Sequence, residues 1–406
     1  MKKILFGATL MSVSLAGCVS NNEMELNSND NPQPITFEVA KFNVSSRAES
    51  TFADGSQDAD GLGHLTFDPN RSFGTYAWLA TGHGGEHTNY ITNEMVSFVD
   101  GLWVTRGDVY SWPQEANKHL DFVSYYPYSA DADNDGVGDD AWCPKFGTTN
   151  TTKHDYNKLE YVDFVNDGKD LMFSDKAHLQ KRNHLTHYYS GVPTLFRHAL
   201  AKLNFTAAIK RDKLEDENGN ILYWRVTVTK FSVGGLVKQG DLTLVTTSPA
   251  SSSTTQWTIE GNPTYKVWQS NVMNDDQGQT VYDCMEWSLG NGIQLDLLNS
   301  VTGAQTLGAN YIVIPQIITD NQYFTISYKV ESSTTPTVAN SWTVEHEITD
   351  RTYNFSTFAQ YQTALKAWEM GKNITYTIMI DPLGDVITFD PAEVDWDTIS
   401  GGSLDI

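Results

Sequence analysis

The chain has 406 residues, 40% of them hydrophobic, and sets 50 acidic against 27 basic side chains for a formal net charge of −23. Without clustered Lys and Arg there is nothing to hold a phosphate backbone, so no nucleic acid is expected as a partner, and the apolar content excludes wholesale disorder. The length exceeds one comfortable hydrophobic core and calls for two domains.

At the N-terminus, Lys2 and Lys3 precede an apolar run from Ile4 to Leu15 that is too short to span a bilayer as a helix. Leu15-Ala16-Gly17-Cys18 closes the run with small residues before a cysteine, the pattern of a bacterial lipoprotein signal. Residues 1–17 are therefore the expected signal peptide. Cys18 is the expected lipid carrier, which would tether the exported protein to a membrane. Residues 18–34 are polar and turn-rich and read as a flexible spacer, with a reach of roughly 50 Å at about 3.3 Å per residue.

From residue 35 onward, short runs rich in Val, Ile, Thr, Tyr, Phe and Trp alternate with Gly, Asn, Asp and Ser clusters, and an all-β protein of two β-sandwiches is expected. The predicted strands are Ile35 to Val44, Phe73 to Ala80, Glu94 to Val99, Leu120 to Tyr126, Leu200 to Ile209, Tyr223 to Val233, Tyr311 to Pro315, Tyr323 to Val330, Ile374 to Asp381 and Val386 to Phe389. Few and short helices are anticipated. The clearest is read from Phe358, Tyr361, Leu365 and Trp368 at helical spacing, with Ser356 as cap and Gly371 as terminator. Four stretches are expected to be least ordered: Asp54 to Gly63, Thr148 to Lys158, Gln180 to Ser190 and Ser248 to Thr255. A change from polar to apolar composition near Gly191 divides the chain into domains 35–191 and 192–406.

The strand Ile35-Thr-Phe37-Glu-Val39-Ala-Lys-Phe42-Asn-Val44 is apolar at alternate positions and then shifts phase between Val39 and Phe42, as a bulge would make it. Behind it, Ser45 to Ser50 is polar, with the single basic residue Arg47 before Ala48. Such a segment suits a trypsin-like protease, but on these residues alone a plain turn between strands is the favoured reading.

Little in the sequence points to catalysis. The ten histidines come with no His-Glu-x-x-His helix, nucleophile elbow or phosphate loop; His178, His184 and His187 sit in a polar stretch, and His198 among apolar residues suits a structural role. No enzymatic activity is expected, and no cofactor other than calcium comes into question. For calcium, Asp131, Asp133, Asp135 and Asp139 stand at positions one, three, five and nine around Gly136. Trp142 replaces the bidentate twelfth ligand, which excludes an EF-hand and leaves two readings, a lone calcium loop or a solvated acidic turn. Aromatics make up 12% of the chain and could stack on sugars, although sandwich core is the plainer account. Cys143 and Cys284 could pair in an oxidising compartment, but two buried thiols are the favoured expectation.

Several stretches resemble the fimbrillin family, the subunits of type V pili and related surface lipoproteins of Gram-negative bacteria. They are Phe73 to Trp78, Val109 to Pro113, Leu120 to Pro127, Lys169 to Phe173, Phe196 to Phe205, Trp368 to Ile380, Ile387 to Pro391 and Val394 to Trp396. The resemblance implies two transthyretin-like β-sandwiches and a lipoprotein precursor cut after an Arg or Lys by an outer-membrane trypsin-like protease. Here that cut would separate Arg47 from Ala48 and remove the pro-strand within residues 35–47. It further implies polymerisation by donor-strand exchange, with Ile387, Phe389, Val394 and Trp396 as anchors of the donated tail. The implied partners are other pilus subunits, the membrane through the precursor's lipid, and a host or microbial glycan or protein ligand. The implied location is the outer membrane or a fimbrium at the cell surface, with cell adhesion as the purpose; a non-polymerising anchor or tip adhesin and a polysaccharide-binding or polysaccharide-degrading surface lipoprotein are the rival expectations.

Overall fold

The computed structural model describes residues 34–42, 64–81, 87–115, 117–133, 136–140, 142–150, 153–174, 176–179, 191–245, 264–265, 282–298, 303–338, 340–357, 365–383 and 386–395. The first strands are β1 Phe37–Phe42, β2 His64–Thr66, β3 Phe73–Thr81, β4 Thr88–Val99, β5 Leu102–Thr105 and β6 Lys118–Tyr126. They are followed by β7 Lys145–Asn150, β8 Lys153–Val165, β9 Met172–Ser174, β10 Ala177–Leu179 and β11 Val192–His198. Next come β12 Ala201–Ile209, β13 Lys213–Glu215, β14 Ile221–Val237, β15 Gln239–Val245, β16 Thr264–Tyr265 and β17 Tyr282–Gln294. The chain continues through β18 Gln305–Val313, β19 Gln316–Ile317, β20 Tyr323–Ser333, β21 Thr343–Asn354, β22 Ala367–Trp368, β23 Lys372–Asp381 and β24 Val386–Asp395.

Each of the ten predicted runs overlaps a strand, although Tyr311 to Pro315 catches only the end of β18, and the all-β expectation holds. The helix expected near residue 360 does not survive where the chain is described. Phe355–Thr357 forms a single 3-10 turn, and Trp368 lies in β22, fully buried, donating its indole N–H to the Tyr376 hydroxyl at 2.7 Å. Phe358 and Tyr361 lie outside the described residues. Thr148 to Lys158 also departs from expectation, because it contributes to β7 and β8. The other three stretches expected to be least ordered fall mostly or wholly outside the described residues.

In the first half the sandwich is closed at its edges. The order β10-β6-β3-β4-β5-β1-β11-β9 returns on itself because β9 also pairs with β6, Tyr125 opposite Phe173 and Tyr126 opposite Met172. Alternation explains the interior: Phe73, Ala77, Leu120 and Phe122 are buried on one face of β3 and β6 with Phe37, Phe67, Trp103 and Phe196. β6 is thereby paired along both sides, with β10 at the outer end of the order.

The second half is an open two-layer sandwich. One sheet runs β18-β12-β23-β24, and the other runs β13-β14-β20-β21 with β17 also on β14. Between them, Leu203, Phe205, Ile374, Tyr376 and Ile378 meet Val226, Phe231, Phe324 and Ile326. A further sheet, β16-β15-β8-β7, takes strands from both halves. It adjoins a third apolar cluster in which Tyr76, Trp78 and Phe173 pack with Phe164, Leu242 and Ile314. Cys143 is buried there as expected, whereas Cys284 on β17 is exposed, and both are free thiols.

Candidate functional site

The most informative local structure is the seat of β1. It runs parallel to β11 in unbroken register from Phe37 opposite Val192 to Lys41 opposite Phe196, so the bulge expected near Val39 is absent from this ladder. Its other side is shared among three short partners. The Ile35 amide donates to the Tyr110 carbonyl at 2.8 Å, Pro34 bridges to Ser111, Phe37 pairs with Trp103 of β5, and residues 40–42 pair with β2. The Tyr110 to Ser111 clasp is braced in turn by the Tyr110 hydroxyl donating to Glu94 Oε1 at 3.0 Å and the Tyr90 hydroxyl donating to the Ser111 carbonyl.

Ile35 and Phe37 are almost completely buried, at 3% and 2% exposure, and Val39 packs partly against the same core. Phe37 meets Phe73 and Phe122 edge-on, each at 6.0 Å. The two buried side chains contribute about 1.5–3 kcal/mol apiece, or roughly 3–6 kcal/mol, to holding the strand. Glu38, half-buried on the opposite face, has its carboxyl pushed above the usual range by desolvation.

Gly191 shapes the floor of the seat. Its φ of +149 disfavours a side chain, and a Cβ there would fall 2.6 to 2.8 Å from the backbone of Thr36 and Phe37. The Val192 amide just beyond it donates to the Thr36 carbonyl at 2.7 Å. The alternation of Ile35 and Phe37 was visible in the sequence, but Gly191, Trp103 and Tyr110 were not recognisable as its receptor. At Gly191 the sequence itself carries only a change in composition.

The remaining sequence-predicted residues divide by position. Cys18, Arg47, Ala48, Asp135 and Trp396 lie outside the described residues. Ile387, Phe389 and Val394 all belong to β24, which pairs antiparallel with β23 from Lys372 opposite Asp395 to Asp381 opposite Val386 and forms the edge of its sheet. Ile387 is 7% exposed. In the acidic loop, carboxylate oxygens of Asp131, Asp133 and Asp139 come within 4.8 Å of one another. Two of these groups also hold the loop together, Asp131 Oδ2 accepting the Gly136 amide and Asp139 Oδ2 the Ala132 amide, each at 2.8 Å. His198 is buried and shares a 2.7 Å hydrogen bond between Nδ1 and Asp170 Oδ1, in keeping with a structural role.

The sequence profile of the family described as Fimbrillin-like matches residues 53–396. Among solved structures, a fimbrial protein from Bacteroides vulgatus ATCC 8482 is similar over 90% of this chain and 99% of its own, with 14% identity and a TM-score of 0.51. A fimbrial protein from Bacteroides ovatus ATCC 8483 is similar over 68% of this chain and 47% of its own, with 12% identity and a TM-score of 0.27. No curated protein matches the sequence.

Proposed function

This chain belongs to the fimbrillin-like family, and from that premise we propose that it is a cell-surface fimbrial protein serving adhesion, made as a lipoprotein precursor and assembled by strand exchange. The signal closed by Cys18 directs export and lipidation, and a trypsin-like protease cuts between Arg47 and Ala48. That cut severs β1 from the rest of the fold, and its departure opens a slot between β11 and the Tyr110–Trp103 side. A strand from a neighbouring subunit then fills the slot through backbone hydrogen bonds and alternate apolar side chains.

One observation carries this reading: β1 is a buried member of a closed sheet, yet it is joined to the domain by one continuous ladder and three short contacts. Its neighbouring Arg47 is the lone Lys or Arg between Lys41 and Arg71. The donor on this reading is the tail beginning with β24, whose release from an edge position breaks a single ladder.

The pairing of β24 with its own domain favours one alternative, a non-polymerising anchor or tip adhesin that receives a strand without giving one. Limited trypsin treatment of the purified full chain distinguishes these roles. Polymerisation predicts a fragment starting at Ala48 that passes from monomer to oligomer on size exclusion. Monomers that accept a synthetic 386–406 peptide indicate the anchor, and absence of any cut near Arg47 defeats both.

A further inference from the structure

A second group of chemically distinctive side chains lies on the face of the first sheet opposite Phe122. Strand parity puts His119 and Asp121 of β6 on the same side, and His87, immediately before β4, reaches them across β3. His87 Nε2 lies 3.0 Å from Asp121 Oδ2, and the His87 and His119 rings stand 6.1 Å apart at 72°. One ligand atom from each of the three residues falls within 4.8 Å of the others. His119 and Asp121 are 4% and 1% exposed, and the His87 side chain 13%. On the intervening strand the residue opposite His119 is Ala80, the smallest side chain that keeps a strand regular.

We infer that His87, His119 and Asp121 bind a borderline divalent ion of the zinc class. Two imidazoles and a carboxylate are the donor set such ions take, at about 2.0–2.2 Å, with the fourth position left to water. The two β6 ligands share one face of the strand, and with donor atoms already within 4.8 Å of one another the three groups would draw together around the ion. Lys176 Nζ, 3.8 Å from the same Asp121 oxygen and 5% exposed, is the cation that the metal displaces. The ion would pin the start of β4 to β6 over β3. This site is separate from the seat of β1 and does not depend on how the chain assembles.

The test is zinc content and affinity of the purified full chain, measured by elemental analysis after equilibration with zinc chloride and by competition with a chromophoric chelator. One zinc per chain is expected. His87→Gln and His119→Gln should each weaken binding by more than the roughly 10–100-fold that loss of an outer-shell partner costs, while Asp133→Ala, in the acidic loop, keeps wild-type affinity. Lys176→Met should bind zinc more tightly than wild type. Cobalt(II) added to the wild-type chain should give the visible bands of a nitrogen-ligated four- or five-coordinate centre, a readout independent of whether any variant folds. A wild-type chain that retains no zinc and shows no cobalt bands overturns the assignment, as does zinc lost on Asp133→Ala and kept in both histidine variants.

Discussion

The two halves each begin with a strand inserted parallel to a strand from the far end of the same half, and they treat it differently. β12 is registered along eight positions with β23 and along six with β18, and it buries Ala201, Leu203, Phe205, Ala207 and Ile209. β1 has five registered positions with β11 but only three with β2 and one with β5. Both strands alternate apolar residues into a core. On the proposed strand exchange, a strand's capacity to leave would be set less by its side chains than by how far its ladders extend on both sides, and by whether the chain beyond it can be cut.

Core truncation is the strongest way to break this comparison. Phe205→Ala in β12 should cost about 3–5 kcal/mol and lower the melting temperature of the whole second sandwich. Phe37→Ala in β1 removes a comparable ring, but its cost should appear as release of β1, seen as faster amide exchange at residues 35–41, while the second sandwich melts unchanged. Equal global destabilisation by the two substitutions would erase the distinction.

A more moderate effect is expected from Gly191→Ala, which places a methyl group against the Thr36 and Phe37 backbone. Overpacking of this kind costs about 1–3 kcal/mol. The variant should speed tryptic cutting at Arg47 and weaken capture of any strand offered to the slot. Gly290, on β17 of the second half, also has a positive φ, +57, but a Cβ there would meet nothing, so the strain of a side chain stays away from the β1 seat. Gly290→Ala should leave both properties unchanged.

The smallest effect concerns pH. Burial raises the Glu38 carboxyl above its usual range, so between the ordinary and the raised value the seated strand holds more protons than the released one. Seating of β1 is then strongest below that window and weakens as pH rises through the raised value. Glu38→Gln should flatten the dependence of β1 release on pH. A slope unchanged by that substitution would assign the effect to another group.

How much of this could be read in the sequence follows from where burial lies. Interior strands such as β3, β6 and β12 bury one or both faces, so their apolar runs announce them. β21 was missed because, at the edge of its sheet, it exposes Thr343, Val344, Glu345, Glu347, Thr349 and Asp350 and shows little apolar pattern. The helix read towards Trp368 shows the converse error at its end: Trp368, counted there by helical spacing, is held in a two-residue strand against β19. At the β1 seat the strand was legible and its receptor was not, since Trp103, Tyr110 and Gly191 reach it only through the fold. The same holds for His87, whose approach to His119 and Asp121 depends on the order of three strands. The i, i+2 spacing of His119 and Asp121 was the one local signal available.

The sheet shared between the halves has a mechanical consequence. β8 and β15 are joined from Val165 opposite Gln239 to Lys158 opposite Val245, and the Asn166 side-chain amide donates to the Ile312 carbonyl at 2.8 Å. In a fibre of the proposed kind, tension passing from one half of a subunit to the other would cross this shared ladder. If subunits assemble by the proposed strand exchange, the shared sheet would couple the two halves of each one under the drag of flowing liquid, and the joints between subunits would be the more compliant points.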